Sequence, residues 1–253
     1  MKQSMAHTGK WAVVAWAALW LAGCASVPES RAFNRAAHGG IEVIDVLPMQ
    51  EREVDLMIVN NPGYSFGLIG LGIAEANRIP KRNWLRGQVA TGKFDHHAVF
   101  RARFTQAMEA RGYRLRWPDP LIQDKAVKVA RTDLGLRKQY VASGNNAQLD
   151  LAFGFVGYAS AGSQDSAPYR PSLVAASKLQ SADGKTGLFS EVVVYNDVFP
   201  FYSGKSIVIQ PDDNYRYPDF DDLRDAGSES VDGLRVAVEA TADKLAEQFG
   251  PVQ

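Results

Sequence analysis

The sequence has few of the features from which function is usually deduced, beginning with cysteine and net charge. A single cysteine, Cys24, stands in 253 residues, so no disulfide can form within the chain. Lysine plus arginine and aspartate plus glutamate each number 28, which leaves no basic excess to attract nucleic acid. The hydrophobic fraction of 46% and the charged fraction of 22% are typical of globular proteins. We therefore expect a folded protein that does not bind nucleic acid.

Motifs for catalysis and for cofactors are few. The pattern Gly-x-Ser-x-Gly occurs once, at Gly63-Tyr-Ser-Phe-Gly67, and one short match is weak evidence by itself. Ser-x-x-Lys does not occur after Cys24. The fragment Ser203-Gly-Lys-Ser206 lacks the glycine-rich lead of a phosphate loop. A hydrolase assembled from scattered residues stays open as a lesser alternative. We predict a protein that is not an enzyme and uses no cofactor.

The amino terminus has the order of charged, apolar and small residues that is typical of an export signal. Lys2 and Lys10 precede an uncharged run from Trp11 to Leu21. This run is shorter than the about 20 residues that a membrane-spanning helix needs. The run ends in Leu21-Ala-Gly-Cys24, which resembles the lipobox of bacterial lipoproteins. The resemblance implies a signal peptide over residues 1–23 and acylation of Cys24 with chains such as palmitate, which anchor the protein in a membrane. The alternative is an ordinary signal cleaved after Ala25, with Cys24 discarded.

The residues after Cys24 bear on location. Lipoproteins with aspartate at the next position are typically kept at the inner membrane, and here Ala25 and Ser26 follow. The resemblance thus implies a lipid anchor in the outer membrane of the cell envelope, with the domain facing the periplasm. Residues 24–40 are polar and contain Pro28 and Gly39-Gly40, which predicts a lipidated, flexible tether. Residues 41–253 are then a single periplasmic domain.

The pattern of the domain predicts an α+β fold, with a mostly antiparallel sheet packed against two or three helices. Spacing of apolar residues predicts helices over 94–111, with Asp95 as a cap, and from Val231 to Phe249. Asp183-Gly184 predicts a tight antiparallel turn. Strands are predicted at 41–47, 54–59, 113–117, 149–158, 172–180, 188–195 and 206–210.

This order of helices and strands resembles the small periplasmic domains of envelope proteins. Examples are the amino-terminal domain of the Tol translocation protein, the curli-secretion lipoprotein and the outer-membrane activators of penicillin-binding proteins. The chain is more closely similar to uncharacterised proteobacterial lipoproteins. The phrases that carry this likeness are Tyr169-Arg-Pro-Ser-Leu173, Leu188-Phe-Ser190, Val194-Tyr-Asn196 and Asp232-Gly-Leu-Arg235. The likeness implies location and fold, and it implies no mechanism.

Three stretches could suggest a nucleotide or a metal. Gly67-Leu-Ile-Gly-Leu-Gly72 has the wrong spacing for the dinucleotide-binding loop and for the P-loop, so we interpret its glycines as sites of close backbone packing. If it is exposed, the apolar stretch 64–74 would instead be a contact patch. His96-His97 is predicted to be a polar first turn, because adjacent helical residues point about 100° apart. Asp219 to Asp225 does not have the spacing of a calcium loop and is interpreted as capping and surface charge. We predict no metal site, with an irregular calcium site as the alternative.

Aromatic residues offer the remaining candidate site. They are dense between the last long strand and the final helix, and either pack on the core or form a rim for a protein or glycan partner. The predicted interaction surface comprises Tyr64, Phe66, Phe199, Phe201, Tyr202, Tyr215 and Tyr217.

These observations predict a non-catalytic envelope lipoprotein. The leading hypothesis is an accessory or assembly factor that binds another envelope protein, itself or peptidoglycan. The alternative is a component of a transport system that binds a lipid or small molecule, which predicts a deep apolar cavity.

Overall fold

A computed structural model describes residues 27–61, 67–119, 129–142, 144–162, 167–202 and 204–251, with the backbone alone for 67–71 and 201. Cys24, Tyr64 and Phe66 lie outside these ranges. Within them, no helix combines the length and the apolar character needed to cross a membrane.

The centre of the fold is a seven-stranded sheet in the order β3-β1-β4-β5-β6-β7, with β2 also paired to β4. Its longest strands are rich in valine, leucine, phenylalanine and alanine and are buried along most of their length, as expected for strands covered on both faces. The strands are β1 Val43–Val46, β2 Asp55–Ile58, β3 Arg114–Arg116, β4 Ala147–Ser160, β5 Arg170–Gln180, β6 Gly187–Tyr195 and β7 Ile207–Ile209.

The α+β class is confirmed, but the sheet is mixed. The three consecutive strands β4, β5 and β6 are antiparallel. In the predicted turn between β5 and β6, Gly184 takes a φ of +72°. All flanking strands run parallel to their neighbours: β1 to β3 and β4, β2 to β4, and β7 to β6. Parallel pairing needs long connections, and the one from β1 to its parallel neighbour β3 includes β2 and two helices.

Four helices lie in the described residues: α1 Gly67–Thr91, α2 His96–Glu109, α3 Phe220–Asp225 and α4 Glu229–Glu247. The predicted face of the last helix is confirmed, since Val231, Leu234, Val238, Thr241 and Leu245 are all buried. Helices α2 and α4 pack on each other, and α4 packs on β5 and β6. Their apolar side chains and one face of the sheet form what we call the helix-side core, which includes Phe100, Phe104, Leu234 and Phe249.

The other face of the sheet is covered by irregular segments instead of helices. Leu134 and Leu136 from residues 129–142, together with Phe199, pack on Phe155 and Val194 of the sheet. We call this cluster the loop-side core. Along β4 and β6, alternate side chains point to the two cores, as the pleat requires. The β-bulge between Phe153 and Phe155 reverses this alternation in β4.

A buried carboxylate fixes the segment 129–142 over the sheet. Asp150 on β4 is fully buried, and its Oδ2 accepts hydrogen bonds from the Arg137 backbone N–H at 2.6 Å and from the Tyr140 hydroxyl at 3.0 Å. Burial raises the pKa of Asp150, and these two donors counteract part of that effect. The segment is thereby fastened to the sheet, and the Arg137 guanidinium reaches on to the Pro48 carbonyl at 3.2 Å.

Residues 27–40 pack on the domain, which differs from the flexible tether predicted there. Arg31 and Ser190 exchange two backbone hydrogen bonds, of 2.8 and 3.0 Å. The Phe33 ring lies 5.4 Å from that of Phe249, and the Arg35 guanidinium donates to the Arg111 carbonyl at 2.9 Å. The polarity of this stretch predicts a flexible tether. Its conformation is determined instead by the packing of Phe33 and by pairing with the edge of β6.

Candidate functional site

A cleft of about 780 Å³ opens between β1 and β2, the two strands that pair in succession with β4. Strand β1 pairs with β4 at residues 147–149 and β2 pairs with β4 at residues 157–160, so residues 47–54 detour between them. The detour forms one wall. The end of α1 and the start of α2 form the other, and Trp117 after β3 closes one side.

The turn between α1 and α2 positions the second wall. Phe94 N–H returns to the Val89 carbonyl at 3.0 Å, and Lys93 takes a φ of +49°. Asp95 then caps α2 as predicted, its Oδ1 accepting from the Ala98 N–H at 3.0 Å. These local bonds place Phe94 and both histidines at the cleft.

The apolar part of the cleft includes two aromatic rings with defined orientations. Trp117 donates from Nε1 to the Thr105 hydroxyl at 2.8 Å, and the Arg101 guanidinium lies 5.3 Å from its ring centre. The Arg235 guanidinium lies 5.2 Å from the ring of Phe94. Met49, Val54 and Val89 also line the cleft, so much of its wall is apolar.

Both signs of charge border the cleft, and several are already engaged. Arg86 pairs with Glu53 at 2.7 Å and also donates to the Val54 carbonyl at 3.0 Å. Arg52 donates from its guanidinium to the Gly154 carbonyl at 2.6 Å, which ties the detour to β4. Because the charges are mixed, the cleft does not select one sign of ligand by its field alone.

Two histidines lie at the start of α2 beside Phe153 of β4. The ring centres of His96 and His97 are 4.5 Å apart, and that of His97 is 5.0 Å from Phe153. His97 Nε2 accepts from the Arg52 backbone N–H at 3.3 Å. His96 is only 9% exposed and its Nε2 has no hydrogen-bond partner. A buried polar atom without a partner is unusual, and a bound water or ligand is one explanation for it.

Burial, followed by the neighbouring His97, lowers the pKa of His96 from 6.5 to about 4. A change of this size corresponds to about 3 kcal/mol of preference for the neutral imidazole. Burial lowers the pKa of His97 as well. Both side chains are therefore neutral at pH 7, able to donate one hydrogen bond and accept another.

This lowered pKa makes stability depend on pH. As pH falls from 6.5 to about 4, the unfolded chain protonates an imidazole that the folded protein keeps neutral, so we expect the free energy of unfolding to fall by up to about 3 kcal/mol. His96→Phe should lose this part of the pH dependence, as measured by urea denaturation at about pH 7 and about pH 4. Other groups titrate alike in both proteins. An unchanged slope in the variant would show that His96 is not held neutral.

Both histidines stand in the first turn of α2, as predicted, but His96 is buried there and lines the cleft. In the part of the chain that the structure describes, no three His, Cys, Asp or Glu side chains come together as a metal site would require. The acidic stretch near the carboxyl end has other roles in the structure. Asp212 and Asp219 cap short helices, and Asp213 pairs with Arg170 at 3.0 Å.

The glycines at 67–72 begin a helix, so the prediction of close backbone packing is wrong at Gly72. That residue is exposed, and an added Cβ would meet nothing within 4 Å. Across residues 72–91, the exposed positions carry no charge. The charged side chains of α1 are half-buried instead, as where Arg78 pairs with Asp55 at 2.8 Å.

The four described aromatic side chains of the predicted interaction surface do not form one surface. Phe199 is buried in the loop-side core and Tyr217 in the helix-side core, on opposite faces of the sheet. Tyr202 and Tyr215 are half-buried against those same two clusters. Packing explains these four. The prediction for Tyr64, Phe66 and the Phe201 side chain falls outside what the structure describes.

The cleft itself was missed by sequence reasoning. Its residues come from positions 47–54, 86–101 and 117–118, and no short motif joins them. Comparison with protein-family models, with curated proteins and with solved structures finds no match to this chain. The geometry of the cleft therefore carries the functional argument.

Proposed function

We propose that this protein is a lipid-anchored, non-catalytic binding protein of the bacterial envelope, and that its ligand occupies the cleft between the 47–54 detour and helix α2. The observation that carries the proposal is the cleft of about 780 Å³ with Trp117 at its side. Pockets for small ligands usually measure about 300–1,000 Å³, are mostly apolar, and contain a few placed polar groups. Anchoring through Cys24, in the outer membrane and facing the periplasm, is part of the same proposal.

The chemistry of the walls favours an amphipathic ligand. Trp117, Phe94 and Val89 offer apolar area to its body, and a neutral imidazole offers a hydrogen bond to a polar group. The cleft thus supports the lipid- or small-molecule-binding hypothesis more directly than docking of another envelope protein. A muropeptide, which combines sugar and peptide groups, is the form in which the peptidoglycan hypothesis fits this site.

Binding of the apolar fluorophore N-phenyl-1-naphthylamine tests the proposal. We expect Trp117→Ala to weaken its binding about tenfold, equivalent to about 1.4 kcal/mol, because the variant removes aromatic contact area from the cleft. Fluorescence titration measures the affinity. Trp84→Ala is the matched control, since Trp84 packs on Phe220 at 5.5 Å, away from the cleft.

Equal weakening by both substitutions, or none by either, would contradict a ligand site at this cleft. Native mass spectrometry of the protein purified from its own membranes identifies the natural class of ligand. A bound lipid supports the transport hypothesis and a bound muropeptide supports the peptidoglycan hypothesis. Protein that is free of any bound mass and does not bind the fluorophore would overturn the proposal.

A further inference from the structure

The packed amino-terminal segment restricts how an anchored domain can sit on its membrane. Val27 packs on the loop-side core, as Val198 and Tyr202 do. The next residues are fixed too: Ser30 donates from its hydroxyl to Glu191 Oε2 at 2.7 Å, and Arg31 pairs with Ser190. These contacts hold Val27, the first described residue, on the side of the sheet that lacks helices.

The distance from that point to an acylated Cys24 is short. Only Ala25 and Ser26 lie between Cys24 and Val27. A fully extended chain spans at most about 3.6 Å per residue, so the sulfur-bearing residue is at most about 11 Å from Val27. A domain held at such a distance cannot turn its other side to the bilayer, because the sheet and the helix layer stand between.

An exposed apolar residue lies on this same side. Val141 is 77% exposed, and its carbonyl accepts from Gln148 Nε2 at 2.8 Å. Gln148 alternates with Asp150 and Ala152 on the loop-side face of β4, so Val141 lies over that face. Lys138, also exposed, comes from the same segment and suits the anionic headgroups of a bilayer.

The helix side offers a matched residue for comparison. Ile73 of α1 is 60% exposed, and α1 packs into the helix-side core through Leu85. Val141 and Ile73 are thus two exposed aliphatic side chains on opposite sides of the sheet. Apolar exposure is similar at both, so the short link from Cys24 decides between them.

We propose that the loop-side surface, formed by residues 129–142 and 197–202 with Val27, lies against the bilayer surface, while the helix layer faces away from it. The inference rests on the proposed anchoring through Cys24. Contact with the bilayer places Val141 at the headgroups and leaves α1 in water.

Fluorescence of labelled variants in vesicles tests this orientation. The full, acylated chain carrying Val141→Cys or Ile73→Cys is labelled with a thiol-reactive nitrobenzoxadiazole dye and reconstituted in phosphatidylethanolamine–phosphatidylglycerol vesicles. Acylation occupies Cys24, the one native cysteine, so the introduced cysteine is the single free thiol. We expect blue-shifted emission and quenching by doxyl-labelled lipid at position 141, and the emission seen in water at position 73. Both substitutions are at exposed positions, so neither should impair folding.

Flotation of the vesicles separates the two proposals. Protein that fails to float lacks the anchor, and both proposals fall. Protein that floats with the dye at position 141 in water, or with position 73 quenched instead, keeps the anchor and overturns the orientation.

A longer link provides a second variant. Insertion of about 15 glycine and serine residues after Ser26 should return the dye at position 141 to water, because a flexible link of that length spans roughly 20 Å on average. Flotation should not change. If position 141 stays quenched with the longer link, the link does not determine the orientation.

Discussion

Gly157→Ala should destabilise the protein by about 4 kcal/mol or prevent it from folding. Gly157 takes a φ of +152°, and a Cβ built there would overlap the carbonyl oxygen of Asp55 in the paired strand β2. No flexible side chain can move aside, because the obstacle is backbone. The β2–β4 ladder must therefore separate or shift, and losses of this size occur only where backbone strain or a core defect is created.

Urea denaturation of the variant measures the loss, and Gly87→Ala is the control. Gly87 is exposed in α1, and a Cβ there would meet nothing within 4 Å. Replacing a helical glycine by alanine should raise the free energy of unfolding by about 0.5–1 kcal/mol. A Gly157→Ala protein as stable as wild type would mean that β2 does not pair with β4 at this position.

Phe249→Ala should lower the free energy of unfolding by about 3–5 kcal/mol, the usual loss for a fully buried phenylalanine. The ring is 0% exposed and joins four parts of the fold. Its neighbours are Phe33, Phe104, Tyr113 and Phe189, with ring centres 5.4, 6.5, 6.0 and 4.7 Å away. Deleting it leaves a cavity that these elements cannot all close.

For a domain of this size the melting temperature should fall by roughly 10 °C, measured by calorimetry or circular dichroism. Phe220→Ala is the comparison, because Phe220 is half-buried at the edge of the helix-side core. It should lose less than half as much. Equal losses would show that the carboxyl-terminal ring is not the centre of the core.

Sequence reasoning succeeded where a local pattern determines local structure. The alternation and β-branched residues of β4, β5 and β6 predict three strands, and Asp183-Gly184 predicts their second turn. The 3.6-residue spacing from Val231 predicts helix α4 and its buried face. Each of these signals lies within one element or between adjacent elements.

The parallel pairing of the flanking strands, and helix α1, could not be predicted in the same way. Which strand lies beside β1 depends on contacts across more than sixty positions, as between Val43 and Arg114. Glycines and Pro80 in the stretch 67–91 argue against a helix by propensity, and packing on β2 overrides them. The cleft depends on both of these features, so the sequence pattern alone did not reveal it.

Contact between residues far apart in the sequence has a consequence for folding during synthesis. Arg35 donates to the Pro251 carbonyl across 216 positions, and Phe33 packs on Phe249. A chain that is made from its amino terminus cannot complete this core until residues 249–251 have been added. Strands β4 to β6 are made earlier, and until the core closes they depend on chaperones to keep them from pairing with other molecules. Completion of the helix-side core is therefore one of the last steps of folding.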